Sequence, residues 1–239
     1  MWLGLASGQV LVCEVSVGYD GALRSAPAPV SLLAHTQAVT HMYASPAFSV
    51  CVSGGADGLC VLWDTNSLAY VRSVSFGKAP VALVAVSETL GDWACVSPLQ
   101  PPSSDPSSSP SSSPSSSPSA PPTSSQLRLY TINGQLVETT VTPQPITALC
   151  FSAAPEGLAV NVIATALGSG VVRLWSTWDL RPVRDLQPPR QAQTQTIRSL
   201  LYSQDSLQLF GLTSAGILLV WEATLPKAKA HKVVTVPPI

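Results

Sequence analysis

The chain has 239 residues, of which 46% are apolar and only 10% charged, with a formal net charge of -1. That length supports a sizeable core, and the charged fraction is far below the ~25% of an average soluble domain, as expected of strands buried on both faces. Without a basic stripe, binding to nucleic acid through phosphate neutralisation is not expected, and no apolar run reaches the ~20 residues of a membrane-spanning helix.

Met1 to Leu5 and Gln9 to Cys13 read as the second and third strands of a unit that lacks a first strand. The apolar opening Met1-Trp2-Leu3-Gly4-Leu5-Ala6 has no basic n-region, so the strand pattern explains it better than a signal peptide does. The clearest unit runs from about Ser31 to Val74, with strands at Val39–Ala44, Phe48–Ser53, Leu59–Trp63 and Ala69–Val74. Asp57-Gly58 marks its central hairpin turn, both residues tolerating the positive φ that such turns favour. In the next unit, Val81–Val86 and Trp93–Val96 are the first strands and Leu127–Tyr130 a later one.

Between them, from Pro98 to Ser125, lies a tract of almost nothing but Ser and Pro, including Ser109-Pro110, Ser113-Pro114 and Ser117-Pro118. It cannot bury enough apolar surface to offset ordering entropy and is expected to be disordered. It reads as an expanded linker, as a cluster for proline-directed phosphorylation or as a docking tail. The chain thus divides into propeller-like units at 1–97, a disordered insertion at 98–125, and further units at 126–239.

The unit from Pro145 to Leu186 places strands at Ile146–Phe151, Val160–Ala166, Val171–Trp175 and Val183–Leu186. It matches the Ser31–Val74 unit beyond the tryptophan, since Leu68 and Leu180 both lie five residues past it, and Arg72 and Arg184 nine. The last unit has strands at Arg198–Tyr202, Leu207–Leu212 and Ile217–Trp221, with Lys232–Val236 as a candidate fourth.

Five times a turn residue is followed, five positions on, by a ring or thiol that ends an apolar strand. The pairs are Gly8 and Cys13, Gly58 and Trp63, Ser125 and Tyr130, Gly170 and Trp175, and Gly216 and Trp221. The four rings lie 67, 45 and 46 residues apart, and removing the Ser/Pro tract shortens the longest interval to roughly 40. A strand-rich repeat with this period is the sequence signature of a β-propeller. The expected fold is all-β, with about four to five blades present as part of a larger ring. The five cysteines, Cys13, Cys51, Cys60, Cys95 and Cys150, fall in strands without a C-x-x-C pair, and read as buried free thiols. The three histidines are scattered, so no metal site and no cofactor is expected.

The stretch from Ala34-His35 through Asp57 to Trp63-Asp64 resembles a WD repeat, with Ala34 in place of the usual glycine. The resemblance implies a buried hydrogen-bond network of His35, Ser53, Asp57 and Trp63, since a buried Asp and His must satisfy each other. Trp175-Ser176, Trp221-Glu222 and Tyr130-Thr131 lack the Asp, so the full network is expected in one blade only. Leu127-Arg128-Leu129-Tyr130-Thr131-Ile132-Asn133-Gly134 and Val172 to Leu180 are similar to the propeller of BEACH–WD-repeat proteins, in particular its lysosomal-trafficking branch. That resemblance implies a very large cytosolic protein, with a BEACH domain upstream, acting on lysosome-related organelle size and vesicle fusion or fission.

The residues themselves offer no nucleophile–base pair, paired carboxylates or phosphate loop, and Gly168-Ser169-Gly170 is a hairpin turn rather than a nucleophile elbow. The expected function is protein binding through propeller surfaces, without nucleic acid or membrane insertion; a signalling or assembly scaffold outside the BEACH family is the alternative. Trp178 falls in the turn after a third strand, where it either anchors a partner or packs on the neighbouring blade. Arg173, inside an apolar strand, reaches either the surface or a carboxylate.

Overall fold

The computed structural model describes residues 1–19, 23–25, 28–99, 124–154, 159–192, 195–222 and 230–235. Apart from a single 3-10 turn at Arg190–Ala192, its regular structure is all strand. The first sheet contains β1 (Trp2–Gly4) and β2 (Gln9–Val12); β3 (Val15–Val17) and β4 (Leu23–Ser25) form a separate small hairpin; β5 (Val30–Leu33) returns to pair with β2. Four sheets of four antiparallel strands follow. The second sheet is β6 (Val39–Ser45), β7 (Val50–Gly55), β8 (Leu59–Asp64) and β9 (Tyr70–Ser75). The third is β10 (Leu83–Val86), β11 (Trp93–Leu99), β12 (Ser124–Tyr130) and β13 (Leu136–Thr142). The fourth is β14 (Ile146–Phe151), β15 (Val162–Leu167), β16 (Val172–Ser176) and β17 (Pro182–Leu186). The fifth is β18 (Ile197–Tyr202), β19 (Gln208–Thr213), β20 (Ile217–Glu222) and β21 (Ala230–Thr235).

Side chains alternate across a strand, and here both faces are covered. On β7, Val50 and Val52 pack toward the third sheet, while Cys51 packs toward the first. Each hydrophobic cluster is therefore a seam between consecutive sheets. Cys51, Val61 and Trp63 meet Trp2 and Leu32 in the first seam. Val52 and Leu62 meet Val84 and Trp93 in the second. Leu127 and Leu129 meet Ile163 and Trp175 in the third, and Val172 and Leu186 meet Leu200 and Trp221 in the fourth. The opening strands β6, β10, β14 and β18 pack in that order, with β1 against β6. Sheets stacked face to face around their first strands are the blades of a propeller. The low charge content follows in part from strands such as β7 and β11, which are buried along most of their length.

Three first strands carry a register shift, at Val39/His41, Ile146/Ala148 and Ile197/Ser199. The extra residue of each bulge is Thr40, Thr147 or Arg198. Thr40 donates its hydroxyl to Gly54 O at 2.8 Å and to Val81 O of the next sheet. Thr147 donates likewise to Ile197 O at 2.7 Å. The bulges at Thr40 and Thr147 thus pin one blade to the next.

Several sequence expectations need correction. The turn at Asp57-Gly58 does not use two positive-φ residues. Only Gly58 is left-handed, at φ 78°, and its N–H bonds Gly55 O at 3.2 Å. Ala56, Asp57 and Gly58 therefore form a three-residue loop ending on a glycine bulge. Gly8, Gly170 and Gly216 repeat it. Phe48 lies in a turn before β7, and Val160 lies outside β15, exposed. The hairpin of β11 and β12 runs further into the Ser/Pro tract than expected, pairing Pro98 with Ser125 and Leu99 with Ser124. The remainder of the tract, 100–123, lies outside the described residues.

Candidate functional site

The second sheet brings His35, Ser53, Asp57 and Trp63 together. His35 leads into β6, Ser53 sits on β7, Asp57 in the β7–β8 loop and Trp63 near the end of β8. His35 Nε2 lies 2.9 Å from Ser53 Oγ, and Trp63 Nε1 donates to the same oxygen at 3.1 Å. His35 Nδ1 lies 3.1 Å from Asp57 Oδ1, with side-chain exposures of 0% and 5%. Asp57 is satisfied further by the backbone N–H groups of Thr36 at 2.9 Å and Leu59 at 3.1 Å. Burial alone would raise the Asp57 carboxyl, but these donors outweigh it and hold the pKa below the ordinary carboxylate value. Asp57 occupies its turn for its carboxylate, not for a left-handed backbone. Gly55 is required beside it, because a Cβ there would fall on His35 Nδ1 and Asp57 Oδ1.

The other blades keep parts of this arrangement. Ser53 pairs with Val61 in register, and the positions that correspond are Cys95 opposite Arg128, Thr165 opposite Arg173 and Gly211 opposite Leu219. Thr165 accepts the indole N–H of Trp175 at 2.8 Å, so the fourth sheet holds half of the network. Cys95 lies beside Tyr130, whose ring stacks on Trp93 at 4.4 Å. At Gly211 the Trp221 ring fills the vacated space, and its N–H turns to Gln187 O at 3.4 Å. The Thr165–Trp175 pair was missed in the sequence, although its ten-residue spacing equals that of Ser53 and Trp63.

The second sheet carries a further histidine, His41, on β6. It is half-buried, and its Nδ1 accepts the Val84 N–H of the third sheet at 3.2 Å. Burial lowers its pKa. The amide can only donate, so Nδ1 must keep its lone pair, which opposes protonation as well. Arg173 reaches a carboxylate, bonding both oxygens of Asp185 at 2.7 Å. Trp178 is 72% exposed, on a turn where its N–H bonds Ser176 Oγ at 3.2 Å. The cysteines are free thiols, and burial pushes Cys51 up to about 12. Among the described residues no cluster of His, Cys, Asp and Glu is arranged to hold a metal, and no helix is long and apolar enough to cross a membrane.

Sheets of this topology, with the His–Ser–Asp–Trp arrangement in one of them, define a WD-repeat propeller, and the WD domain, G-beta repeat model matches residues 28–64. The chain thus has the fold of a WD-repeat propeller, and it resembles the propellers of the BEACH class. It is 37% identical to the human lysosomal-trafficking regulator over 192 residues, which is 80% of the chain and 4% of that protein. It is 34% identical to the Drosophila melanogaster lysosomal-trafficking regulator over 232 residues, covering 85% of the chain and 6% of the relative. Mouse WD repeat- and FYVE domain-containing protein 4 is 29% identical over 191 residues, 78% of the chain and 5% of that protein. The chain therefore spans only a small part of the length of these relatives.

Proposed function

We propose that this chain is a non-catalytic, protein-binding propeller of a BEACH-type WD-repeat protein acting in lysosome-related vesicle trafficking. The observation that carries the reading is the similarity to two lysosomal-trafficking regulators across most of the chain. The fold supports it: the inner positions are spent on seam packing, and reactive groups such as Cys51 and Cys150 are buried with raised pKa values. Binding then falls to exposed surfaces, and the locked turn bearing Trp178 is one contact, since exposed aromatics on rigid turns are efficient anchors. The protein would work from the cytosol, peripheral to lysosome-related organelles, through protein partners and without a cofactor.

The test is genetic complementation. Cells lacking the full-length protein are given back either the intact form or one in which residues 1–239 are deleted, and lysosome diameter is measured. Restoration by the intact form alone is expected. Full restoration by the deleted form would overturn the role in trafficking, and reproducible turnover by the purified chain would overturn the non-catalytic assignment.

A further inference from the structure

The second and fourth seams are built from corresponding residues, yet one is filled and the other is not. In the second seam Trp93 pairs with Tyr130 across β11 and β12, and the two rings stack at 4.4 Å and 11°. Val50, Leu62 and Val74 close around them. In the fourth seam the corresponding cross-strand pair is Leu209 and Trp221. Its surroundings are equivalent, with Val162, Leu174 and Leu186 at the places of Val50, Leu62 and Val74. A leucine thus stands where the other seam has an indole, and a groove of about 230 Å³ opens above Leu209 and Trp221.

The groove is reachable from solvent. It opens between the β14–β15 connection, where Val160 is 77% exposed, and the β18–β19 connection, where Leu207 is 51% exposed. Two large aliphatic side chains held in water beside an apolar groove form a surface suited to association. Arg184 and Glu222 also line it, placing opposite charges at its border. The rest of its described lining is Ala, Val, Leu, Trp, Tyr and Ser, which suits an uncharged apolar group rather than a ligand of strong charge. The volume lies below the ~300–1,000 Å³ usual for small-molecule and cofactor sites, so it admits a side chain rather than a cofactor. The filled seam shows which side chain this framework accepts: a planar aromatic.

We propose that this groove receives one aromatic side chain, Trp or Phe, from an extended segment of a partner protein. The proposal rests on the interaction reading above and gives it a location and a ligand chemistry. The anchor takes the space that Trp93 takes in the second seam, and the segment's backbone crosses between Val160 and Leu207.

Short random peptides displayed on phage are selected on the immobilised full chain, and enriched peptides are then measured by fluorescence polarisation. The expected winners share one Trp or Phe whose replacement by Ala weakens binding about 30-fold, the size of a hot-spot loss. Leu209→Trp, which rebuilds the filling of the second seam, should abolish binding without lowering the melting temperature. Val160→Asp, at an exposed position, should weaken binding with the fold intact, and decides the matter alone if Leu209→Trp misfolds. Aromatic peptides that bind both variants as well as the parent would overturn the groove while leaving the interaction reading standing. Selection of no aromatic-anchored peptide would overturn the proposal. Self-association lost in both variants would identify a second copy instead, and would equally overturn it.

Discussion

Trp175 donates its indole N–H to Thr165 at 2.8 Å, repeating in the fourth sheet the bond that Trp63 makes to Ser53 in the second at 3.1 Å. The hydroxyl residues differ in load. Ser53 also faces His35 at 2.9 Å, whereas no His–Asp pair accompanies Thr165 among the described residues. In the fourth sheet the buried hydroxyl that accepts the tryptophan N–H is present without the rest of the network.

Thr165→Val keeps the shape of the side chain and removes that acceptor. Leaving the Trp175 N–H unpaired should cost about 1–3 kcal/mol. Ser53→Ala removes the partner of both Trp63 and His35 and should cost more. Urea denaturation of the two variants against the parent measures the difference, and equal losses would show that His35 draws nothing from Ser53.

Asp57 holds its carboxyl below the ordinary value of 3.8. A carboxyl with a lowered folded pKa contributes stability that is complete above the unfolded value and is lost as pH falls through the folded one. Asp57→Asn should therefore flatten the acid limb of the melting-temperature profile below about pH 4. His35→Ala, which strips a donor from the same carboxylate, should cost about 1–3 kcal/mol at neutral pH. An unchanged acid limb in Asp57→Asn would mean that this carboxylate is not held by its donors in solution.

His41 has the opposite character, a base that folding keeps neutral. Its folded pKa lies below the ordinary 6.5, so the unfolded chain takes up the proton first and stability falls as pH drops below that value. Above it the contribution is constant. His41→Gln, which removes the titrating ring, should lose less stability than the parent between about pH 6.5 and 5. Parallel profiles for parent and variant across that window would dispose of the assignment.

Leu99 and Ser124 are paired across β11 and β12, so the ends of the Ser/Pro tract are already adjacent. Removing residues 102–121 leaves Gln100, Pro101, Pro122 and Thr123 to close the hairpin. Because closure cost varies only with the logarithm of loop length, stability should change by about 1 kcal/mol or less. Differential scanning calorimetry of the shortened chain checks this, and a large fall in melting temperature would place the tract against the blades.

The period of rings and turn glycines was legible because each marks a repeated backbone event. Gly8, Gly58, Gly170 and Gly216 all adopt left-handed φ at the same loop position. Leu68 and Leu180, matched by spacing, share a positive φ too, at 58° and 48°. The set of His35, Ser53, Asp57 and Trp63 could be named from the one repeat that spells it out. Strand ends such as Phe48 and Val160 were misread, because an apolar residue at a strand end looks the same whether it is paired or exposed. The hairpin of β3 and β4 and the strands β5 and β13 went unnoticed, being short or rich in polar residues. Nor could the role of His41 be read, since its partner is a backbone amide 43 residues away. The groove above Leu209 depends on a comparison between two seams, which requires the register of both.

The bulge pins Thr40 and Thr147 link consecutive sheets, as the four apolar seams chiefly do. Such a stack transmits damage poorly. A lesion in one seam weakens its two sheets and leaves the remainder nearly untouched, as in a one-dimensional array with nearest-neighbour coupling. Each repeat is then free to drift separately, which accounts for a chain in which one blade keeps all four network residues, another keeps two, and others have replaced them with a thiol or a bare glycine.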